Sequence, residues 1–387
     1  MSPRPPQRPA RRGRALLALV TVAGATLVGA AAAPPAAAAT YDVNFTFDNP
    51  DGDVGDGVCD VIPGLPGDQC SLRAAVQEAN ASPGPDTITL FPAPNYTQGT
   101  AGVDDTAVAG DLDILEDVTI VGGGSVLTVS NGIRGFDVRA GTLTLSGLTV
   151  TGGTAESDTN KGGNIQVVGG SLMLSESSLD AGTAAVAGGG LEVTAPASAT
   201  LTNVDFDGND ATVNGGALHA TGLADTTITG GSVTGNTAVE EGGGFWNGTG
   251  TMSVDGTGFT GNDAQGSLAA QGGGALFNAG GALTVTNATI GGAEMGEANT
   301  ATGSATPNGG GNGGGILTEG GTLSVTDTTI TANTANRAGG GLENAGTPVT
   351  LSGVDFDANT ASVNGGAIHV TSGDTAVTGG LVTDNIA

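Results

Sequence analysis

The stretch TNVDFDGNDATVNGGALHATG, residues 202–222, recurs along this chain with small changes, and its recurrence specifies the architecture. The following copy reads TGGSVTGNTAVEEGGGFWNGTG, residues 229–250, and a later copy reads SGVDFDANTASVNGGAIHVTSG, residues 352–373. The period is about 26 residues and extends from roughly residue 162 to residue 387. A fixed period of this length is typical of a solenoid, in which each unit packs against its neighbours.

Each unit contains a glycine pair or triplet, two apolar segments and a turn that ends in asparagine. The turn asparagines are separated by 27, 26, 71, 26 and 26 residues, because one irregular unit intervenes; they are Asn209, Asn236, Asn262, Asn333, Asn359 and Asn385. Asparagine tolerates the left-handed backbone conformation of a tight turn. Stacked amides can also bond one another along the axis. We therefore predict a ladder of asparagines.

Aligning the glycine motifs produces three columns of apolar residues. The first is Leu191, Leu218, Phe245, Leu276, Ile316, Leu342 and Ile368; the second is Leu201, Ile228, Met252, Leu283, Leu323, Val349 and Val377; the third is Phe206, Val233, Phe259, Ile290, Ile330, Phe356 and Val382. One apolar column per face is what a parallel β-helix requires. The β-branched alternation and the glycines exclude an α-solenoid. The predicted fold is all-β, a right-handed parallel β-helix of about ten to eleven coils over residues 85–387.

The charge balance is strongly acidic. The chain has 387 residues, 10 of them Lys or Arg and 38 Asp or Glu. Five of the basic residues precede residue 40, so the remainder carries 5 − 38 = −33. Nucleic acid and anionic lipid are therefore excluded as partners over most of the surface.

Residues 1–39 are predicted to be a secretion signal. An arginine-rich start is followed by an apolar core from Ala15 to about Ala30 and by the small-residue site Ala37-x-Ala39. General secretion and the twin-arginine route both remain open. Later apolar runs fall short of the ~18 residues that a membrane span needs, so no transmembrane span is expected. The expected location is secreted, extracellular or at the cell surface, which means the outer membrane in a Gram-negative cell.

Residues 40–84 are predicted to form an N-terminal cap. Two cysteines in a secreted chain, Cys59 and Cys70, indicate one disulfide. In CSLRAAVQEANA, residues 70–81, Ser71 can cap a helix whose apolar face contains Leu72, Ala75, Val76 and Ala79. A helix at this point would cover the open end of the solenoid.

An acidic loop precedes this helix. It contains Asp51, Asp53, Asp56 and Asp60, and clustered carboxylates on a flexible loop suit calcium. Gly55 occupies a position where an EF-hand has a ligand, so the loop is not an EF-hand. Structural calcium and a solvated acidic loop are the two interpretations; no other cofactor is required.

The segment CSLRAAVQEAN, residues 70–80, resembles the N-terminal module of secreted bacterial β-helix proteins named for a Cys-Ser-Leu-Arg-Glu-Ala stretch, with Ala74 in place of the glutamate. The motifs GGAL and GGAI with FDGN, FTGN and FDAN resemble the repeats of chlamydial polymorphic membrane proteins. This resemblance implies a β-helix, a secreted or surface location and an adhesive role. The fold it implies is also that of pectin and pectate lyases, but a shared fold does not transfer function.

One position in each unit directly follows the first apolar column. It reads Glu192, His219, Trp246, Phe277, Leu317, Glu343 and His369. Strand alternation directs these side chains away from the core, so His219, Trp246, Phe277 and Leu317 are predicted to form an exposed ligand-binding stripe. The alternative is that the irregular segment between Ile290 and Gly313 folds over the stripe and buries it.

Catalysis is the less favoured hypothesis, because Arg337 is the only basic residue in the clear repeats and no acid pair occupies matching positions on adjacent coils. His219 and His369 are too far apart to share a site. We therefore predict a non-catalytic, adhesin-like or structural surface protein that contacts an extracellular glycan or a surface protein. The alternative is a carbohydrate-active lyase or hydrolase, or a carbohydrate-binding module.

The last segment, GGLVTDNIA, stops one turn before the next glycine motif. We expect either that the chain is a fragment or that its last coil associates end to end with another molecule.

Overall fold

The computed structural model describes residues 38–387 except 65–66, 68, 93–94, 156–158, 269 and 304–308. The predicted signal lies outside the described residues apart from its last two. The described residues belong to one compact unit, Ala36–Ala387. Among them, no helix is both long and apolar enough to cross a membrane.

The described part of the chain contains one helix, α1 (Leu72–Ala81), and 36 strands. The strands of the N-terminal half are β1 (Thr40–Val43), β2 (Asp86–Leu90), β3 (Asn95–Gln98), β4 (Leu112–Ile114), β5 (Val118–Val129), β6 (Phe136–Val138), β7 (Thr142–Thr151), β8 (Ile165–Val167), β9 (Ser171–Asp180), β10 (Thr183–Ala184), β11 (Leu191–Thr194), β12 (Ser198–Asp207), β13 (Asp210–Ala211), β14 (Leu218–Thr221), β15 (Asp225–Thr229), β16 (Ser232–Thr234), β17 (Thr237–Ala238) and β18 (Phe245–Asn247). Those of the C-terminal half are β19 (Thr251–Asp255), β20 (Gly258–Thr260), β21 (Asp263–Ala264), β22 (Leu276–Asn278), β23 (Ala282–Thr286), β24 (Thr289–Ile290), β25 (Thr300–Ala301), β26 (Ile316–Thr318), β27 (Thr322–Thr326), β28 (Thr329–Thr331), β29 (Thr334–Ala335), β30 (Leu342–Ala345), β31 (Val349–Ser352), β32 (Asp355–Asp357), β33 (Thr360–Ala361), β34 (Ile368–Ser372), β35 (Thr375–Thr378) and β36 (Val382–Thr383).

In the described residues these strands form three parallel sheets, and a coil such as β15 to β18 contributes two strands to sheet 1, one to sheet 2 and one to sheet 3. Sheet 1 has 19 strands, including β1, β2, β5, β7, β9 and β12. Sheet 2 has seven two-residue strands, and sheet 3 has ten strands in the order β4-β6-β8-β11-β14-β18-β22-β26-β30-β34. Each strand pairs with its counterpart one coil away, as β11 does with β14. The predicted parallel β-helix is thus confirmed, with about ten coils.

The glycine motif makes the turn into sheet 3 possible. Gly215 has a φ of +63°, and a Cβ on it would lie 2.5 Å from the carbonyl oxygen of Leu218. On Gly216, a Cβ would lie 2.3 Å from the carbonyl oxygen of Gly243 in the next coil. A side chain at either position would therefore collide with backbone, which explains why glycine recurs once per coil.

The first and third apolar columns are confirmed. Leu191 pairs with Leu218 and Leu218 with Phe245, while Phe206 pairs with Val233. The core between the sheets is buried and includes edge-to-face contacts of Phe245 with Phe206, at 5.4 Å, and with Phe259, at 5.1 Å between ring centroids.

The predicted second column joined residues that do not pair with each other. Ile228 pairs with Val254, whereas Met252 pairs with Thr226. Each strand on this face has two inward residues, two positions apart. The sequence alignment placed residues from both positions in a single column. The actual columns are Leu201, Ile228, Val254, Val285, Val325, Leu351 and Val377, and Ala199, Thr226, Met252, Leu283, Leu323, Val349 and Thr375.

The asparagine ladder is present and buried. The Nδ2 of Asn209 donates to Oδ1 of Asn236 at 2.8 Å, and the same pattern continues to Asn385. Asn299, which the sequence alignment missed, links Asn262 to Asn333 through the irregular unit.

The predicted backbone role of these asparagines was wrong. The left-handed conformation belongs to the preceding residue, such as Gly208 with a φ of 60° or Ala332 with a φ of 55°. This residue makes the turn, and the asparagine that follows can therefore direct its amide inward.

The helix and the disulfide predicted for the N-terminal segment are both present. Ser71 accepts the N–H of Ala74 at the start of α1, and Cys59 is bonded to Cys70. The helix is buried on more than its apolar face, because Arg73 is fully buried and its guanidinium binds Asp48, with Nε at 2.7 Å from Oδ1.

Candidate functional site

The outward side of sheet 3 carries one central residue per strand. Strand pairing places ten such residues in one line, which we call the outer column: Asp113, Asp137, Gln166, Glu192, His219, Trp246, Phe277, Leu317, Glu343 and His369. The sequence predicted the last seven. It missed the first three because the glycine motif is weak before residue 162.

The predicted exposed stripe is wrong, because most of it is buried. His219 is 5% exposed, and Phe277 and Leu317 are each 1% exposed. The rings stack at the spacing of the coils: His219 lies 4.3 Å from Trp246, and Trp246 lies 6.1 Å from Phe277, between centroids. The turn glycines pack beside them, since a Cβ on Gly242 would lie 3.2 Å from the Cβ of Trp246. Trp246 alone of the four predicted residues is half-buried.

The two aspartates at one end of the outer column, Asp113 and Asp137, are paired with arginine. Arg139 lies 2.8 Å from Asp137 and 2.9 Å from Asp105, and its Nη1 lies 3.9 Å from Asp113. Burial raises the pKa of Asp113 to about 7, aided by the charge of Asp137 and opposed by the N–H of Ala107 and by Arg139. This end is therefore an ion-pair network within the fold.

Two glutamate–histidine pairs occur in the outer column. Nδ1 of His219 lies 2.7 Å from Oε2 of Glu192, and Nδ1 of His369 lies 2.7 Å from Oε2 of Glu343. The first pair is enclosed, because Lys161 lies 3.3 Å from Glu192 and Trp246 stacks on His219. In the second pair, the His369 side chain is 26% exposed.

The second pair adjoins a groove of about 230 Å³, which we call the Leu317 groove. It is lined by Ala270, Asn312, Leu317, Glu319, Arg337, Glu343, Ala345 and Thr371. Leu317 and Glu343 belong to the outer column. Ala345 and Thr371 lie near the ends of β30 and β34, and the other lining residues come from the turns that enter and leave sheet 3. The groove thus combines an apolar residue with a guanidinium, a hydroxyl, an amide and two carboxylates.

Hydrogen bonds hold the polar groups of the groove in place. Arg337 donates to Oδ1 of Asn312 at 2.8 Å. Thr371 donates to Glu343 at 2.7 Å. Because these side chains are held before any ligand arrives, the groove is preorganised.

Burial raises the pKa of three carboxyl groups in this region. Burial is the cause for Glu319, and for Glu343 it outweighs the opposing bonds from Thr371 and His369. Burial raises the pKa of Glu241 to about 7, although the indole N–H of Trp246 donates to it at 2.9 Å and favours the charged form. The charge of Glu319 adds to the rise in the pKa of Glu241.

The sequence did not indicate that carboxyl groups lie beside Arg337. Glu343 from the same coil and Glu319 from the preceding coil line the groove with it. Glu319 and Glu241 lie outside the repeated strand positions, so the alignment did not bring them together. The two glutamate–histidine pairs did have a sequence signal. The motif AGGGLE recurs at residues 187–192 and 338–343, and one coil later it is followed by VNGGALHAT at 213–221 and by VNGGAIHVT at 363–371.

The predicted calcium loop is ordered by its own backbone. Asp51 accepts the N–H groups of Asp53 at 2.8 Å and Asp60 at 3.0 Å. Glu78 from α1 accepts the N–H of Gly55 and of Gly57. Burial raises the pKa of Asp51 and of Glu78. Within the described ranges, no group of three or more His, Cys, Asp or Glu side chains is arranged to hold a metal ion.

No protein-family model matches this sequence, and no curated protein matches it. Among solved structures, pectate lyase Pel9A is similar over 87% of this chain and 79% of its own, with 15% identity and a TM-score of 0.42. The A-modules of the Azotobacter vinelandii mannuronan C-5 epimerases AlgE4 and AlgE6 are 16% and 17% identical, with TM-scores of 0.38 and 0.33. They cover 87% and 86% of this chain, and 96% and 97% of their own chains. Identities this low say nothing about activity.

Proposed function

We propose that this chain is a secreted or cell-surface β-helical protein that binds an extracellular glycan in the Leu317 groove without altering it. The observation that carries the proposal is the lining of the groove, where the accessible apolar side chain of Ala345 lies beside Arg337, Thr371 and Glu319. A sugar ring presents a C–H face and a rim of hydroxyl groups. A site of this kind needs an apolar contact and a few fixed donors and acceptors.

An extracellular location is supported by the cap. The Cys59–Cys70 disulfide closes the loop before α1, and disulfides persist in oxidising compartments. An adhesin-like or spacer role accords with a solenoid, which presents a long surface with no need for a large globular core.

The test is a glycan array probed with the secreted protein and with Ala345→Trp, which fills the groove. The control is Leu223→Trp, at a residue 75% exposed and absent from the groove lining. We expect binding by the wild type and the control, and its loss in Ala345→Trp. Equal glycan binding by Ala345→Trp, or no binding by any form, would contradict the proposal. Circular dichroism establishes that all three forms fold.

A carbohydrate-active enzyme is the second candidate, and one observation favours it. A carboxyl group with a pKa of about 7, as in Glu241, can donate a proton near neutrality, and the indole N–H of Trp246 holds it in place at 2.9 Å. The measurement is release of reducing ends or unsaturated products from a panel of polysaccharides. Activity that disappears in Glu241→Gln would replace the binding proposal with this one.

A further inference from the structure

We propose that the secreted chain begins at Ala39 and that its terminal ammonium group pairs with the buried carboxyl group of Asp86. The processing step is hydrolysis of the Ala38–Ala39 peptide bond by a signal peptidase. The oxygen of water joins the carbonyl carbon of Ala38, and both protons of water pass to the nitrogen of Ala39, which leaves a carboxylate and an ammonium group. The inference rests on the secretion that is part of the proposed function and is independent of the Leu317 groove.

The first observation is the environment of Asp86. This residue begins β2, is 1% exposed, and accepts the backbone N–H of Ala39 on its Oδ1 at 2.6 Å. Its Oδ2 is buried and has no hydrogen-bond partner within the described residues. An amide nitrogen has a single N–H, which Oδ1 already accepts. An ammonium group at the same position has three donors and can serve both carboxyl oxygens.

The second observation is that the side-chain cations of the fold are bonded elsewhere. Five Lys or Arg residues follow residue 39, and their partners are Asp48 for Arg73, Asp111 for Arg134, Asp137 for Arg139, Glu192 for Lys161 and Asn312 for Arg337. Both histidines bond to glutamates. A buried carboxylate needs a positive partner or several donors to offset the loss of water. The α-amino group is the cation that can reach Asp86.

The third observation is the way Ala39 is held. Its carbonyl oxygen accepts the N–H of Thr87 at 2.9 Å, so hydrogen bonds fix the residue to β2 on both sides. Ala39 is half-buried and packs against the core, whereas Ala38 is exposed. The nitrogen of Ala39 is therefore positioned beside Asp86 by the fold, and an ammonium group there would be preorganised for the pair.

The sequence permits two cleavage positions one residue apart. A signal is cut after small residues in an A-x-A arrangement. The alanines at 36–39 provide this arrangement for a cut after Ala38 and for the predicted cut after Ala39. A cut after Ala39 would remove the residue that bonds both Asp86 and Thr87. The hydrogen bonds to β2 therefore favour the cut after Ala38.

The experiment expresses the full chain with its own leader in a secreting bacterial host. Mass spectrometry of the secreted protein gives its first residue. Two precursor variants form a matched pair, because both change a residue that processing removes. Ala36→Leu blocks the cut after Ala38 and permits the cut after Ala39, whereas Ala37→Leu does the reverse.

We expect the wild type and Ala37→Leu to begin at Ala39 and to have the same melting temperature. Ala36→Leu should begin at Thr40 and melt a few degrees lower, because Asp86 loses its partner. Asp86→Asn should reduce the difference between the two starts, since the carboxylate that the ammonium group pairs with is gone. Asp42→Asn, at an exposed position in β1, should leave the difference unchanged.

A secreted wild type that begins at any other residue would overturn the inference and leave secretion intact. Equal melting temperatures of the forms that begin at Ala39 and Thr40 would also overturn it, as would an equal effect of Asp86→Asn and Asp42→Asn on that difference. A chain that is neither cut nor secreted would remove the proposed secretion together with this inference.

Discussion

Asn236 and Asn262 lie one coil apart and are joined by two hydrogen bonds to a single oxygen. The backbone N–H of Asn236 and its Nδ2 both donate to Oδ1 of Asn262, at 3.1 and 2.9 Å. Nδ2 of Asn262 donates in turn to the carbonyl of Val233 at 2.8 Å. Each asparagine of the ladder therefore satisfies backbone groups of neighbouring coils as well as the next side chain.

Asn262→Ala is expected to lower the free energy of unfolding by about 3 kcal/mol, because it leaves several buried polar groups without partners. Urea denaturation measures the loss. The control is Gln265→Ala, an exposed change three residues away, which should stay within about 0.5 kcal/mol of the wild type. A loss in Asn262→Ala no greater than in the control would show that the ladder does not stabilise the fold.

Asn262→Asp tests the direction of hydrogen-bond donation along the asparagine ladder. The aspartate keeps an acceptor for Asn236 but loses the donor to Val233, and it faces Oδ1 of Asn299 with a second acceptor. We expect a larger loss at pH 7 than at pH 4, because the protonated carboxyl can donate. If the loss of stability relative to the wild type were the same at pH 4 and pH 7, Nδ2 of Asn262 would not be the donor that the fold requires.

Removing the buried Arg73 is expected to cost about 3–5 kcal/mol, because Arg73→Met leaves the Asp48 carboxylate without its cation. The double variant Arg73→Met with Asp48→Asn should recover part of the loss, since it removes the uncompensated charge as well. Thermal and urea unfolding of both variants give the comparison. A double variant less stable than Arg73→Met alone would contradict this account.

Stability should fall between about pH 4 and pH 7 through Asp113. The pKa of its carboxyl is raised from 3.8 to about 7 in the folded protein. The folded state therefore binds the proton more tightly than the unfolded chain, and this stabilisation is complete below pH 4 and lost above pH 7. Asp113→Asn, which keeps an acceptor for the Ala107 N–H, should flatten this part of the profile and raise stability at pH 8. If the stability of Asp113→Asn fell with pH as that of the wild type does, groups other than Asp113 would be responsible.

The hypothesis of a calcium site at the loop with Asp51, Asp53, Asp56 and Asp60 predicts that calcium stabilises the N-terminal segment, although these described carboxylates do not form a metal-holding group in the structure. The melting temperature should rise by a few degrees in calcium relative to chelator. The double variant Asp53→Asn with Asp56→Asn should abolish the rise, while magnesium should give a smaller one. Identical melting curves in calcium and chelator would eliminate the site.

The repeat alone was enough to predict the parallel β-helix, two of three apolar columns and the asparagine ladder. These features are local and periodic, because one coil fixes the pattern for the next. The Cys59–Cys70 disulfide and α1 also followed from short motifs. The second column failed because two inward positions on one strand are equivalent in a hydrophobicity pattern, and hydrogen-bond register separates them only in three dimensions.

The burial of the outer column and the contacts between turns were evident only from the tertiary structure. Alternation correctly directed the outer column away from the core, but it could not show that ring stacking and turn backbone would bury His219, Phe277 and Leu317. Likewise, Glu319 and Arg337 belong to turns of different coils, and both line the Leu317 groove because of how those turns enter and leave sheet 3. Periodic sequence therefore fixes how coils stack, whereas contacts between non-repeating turn residues depend on distances that no period encodes.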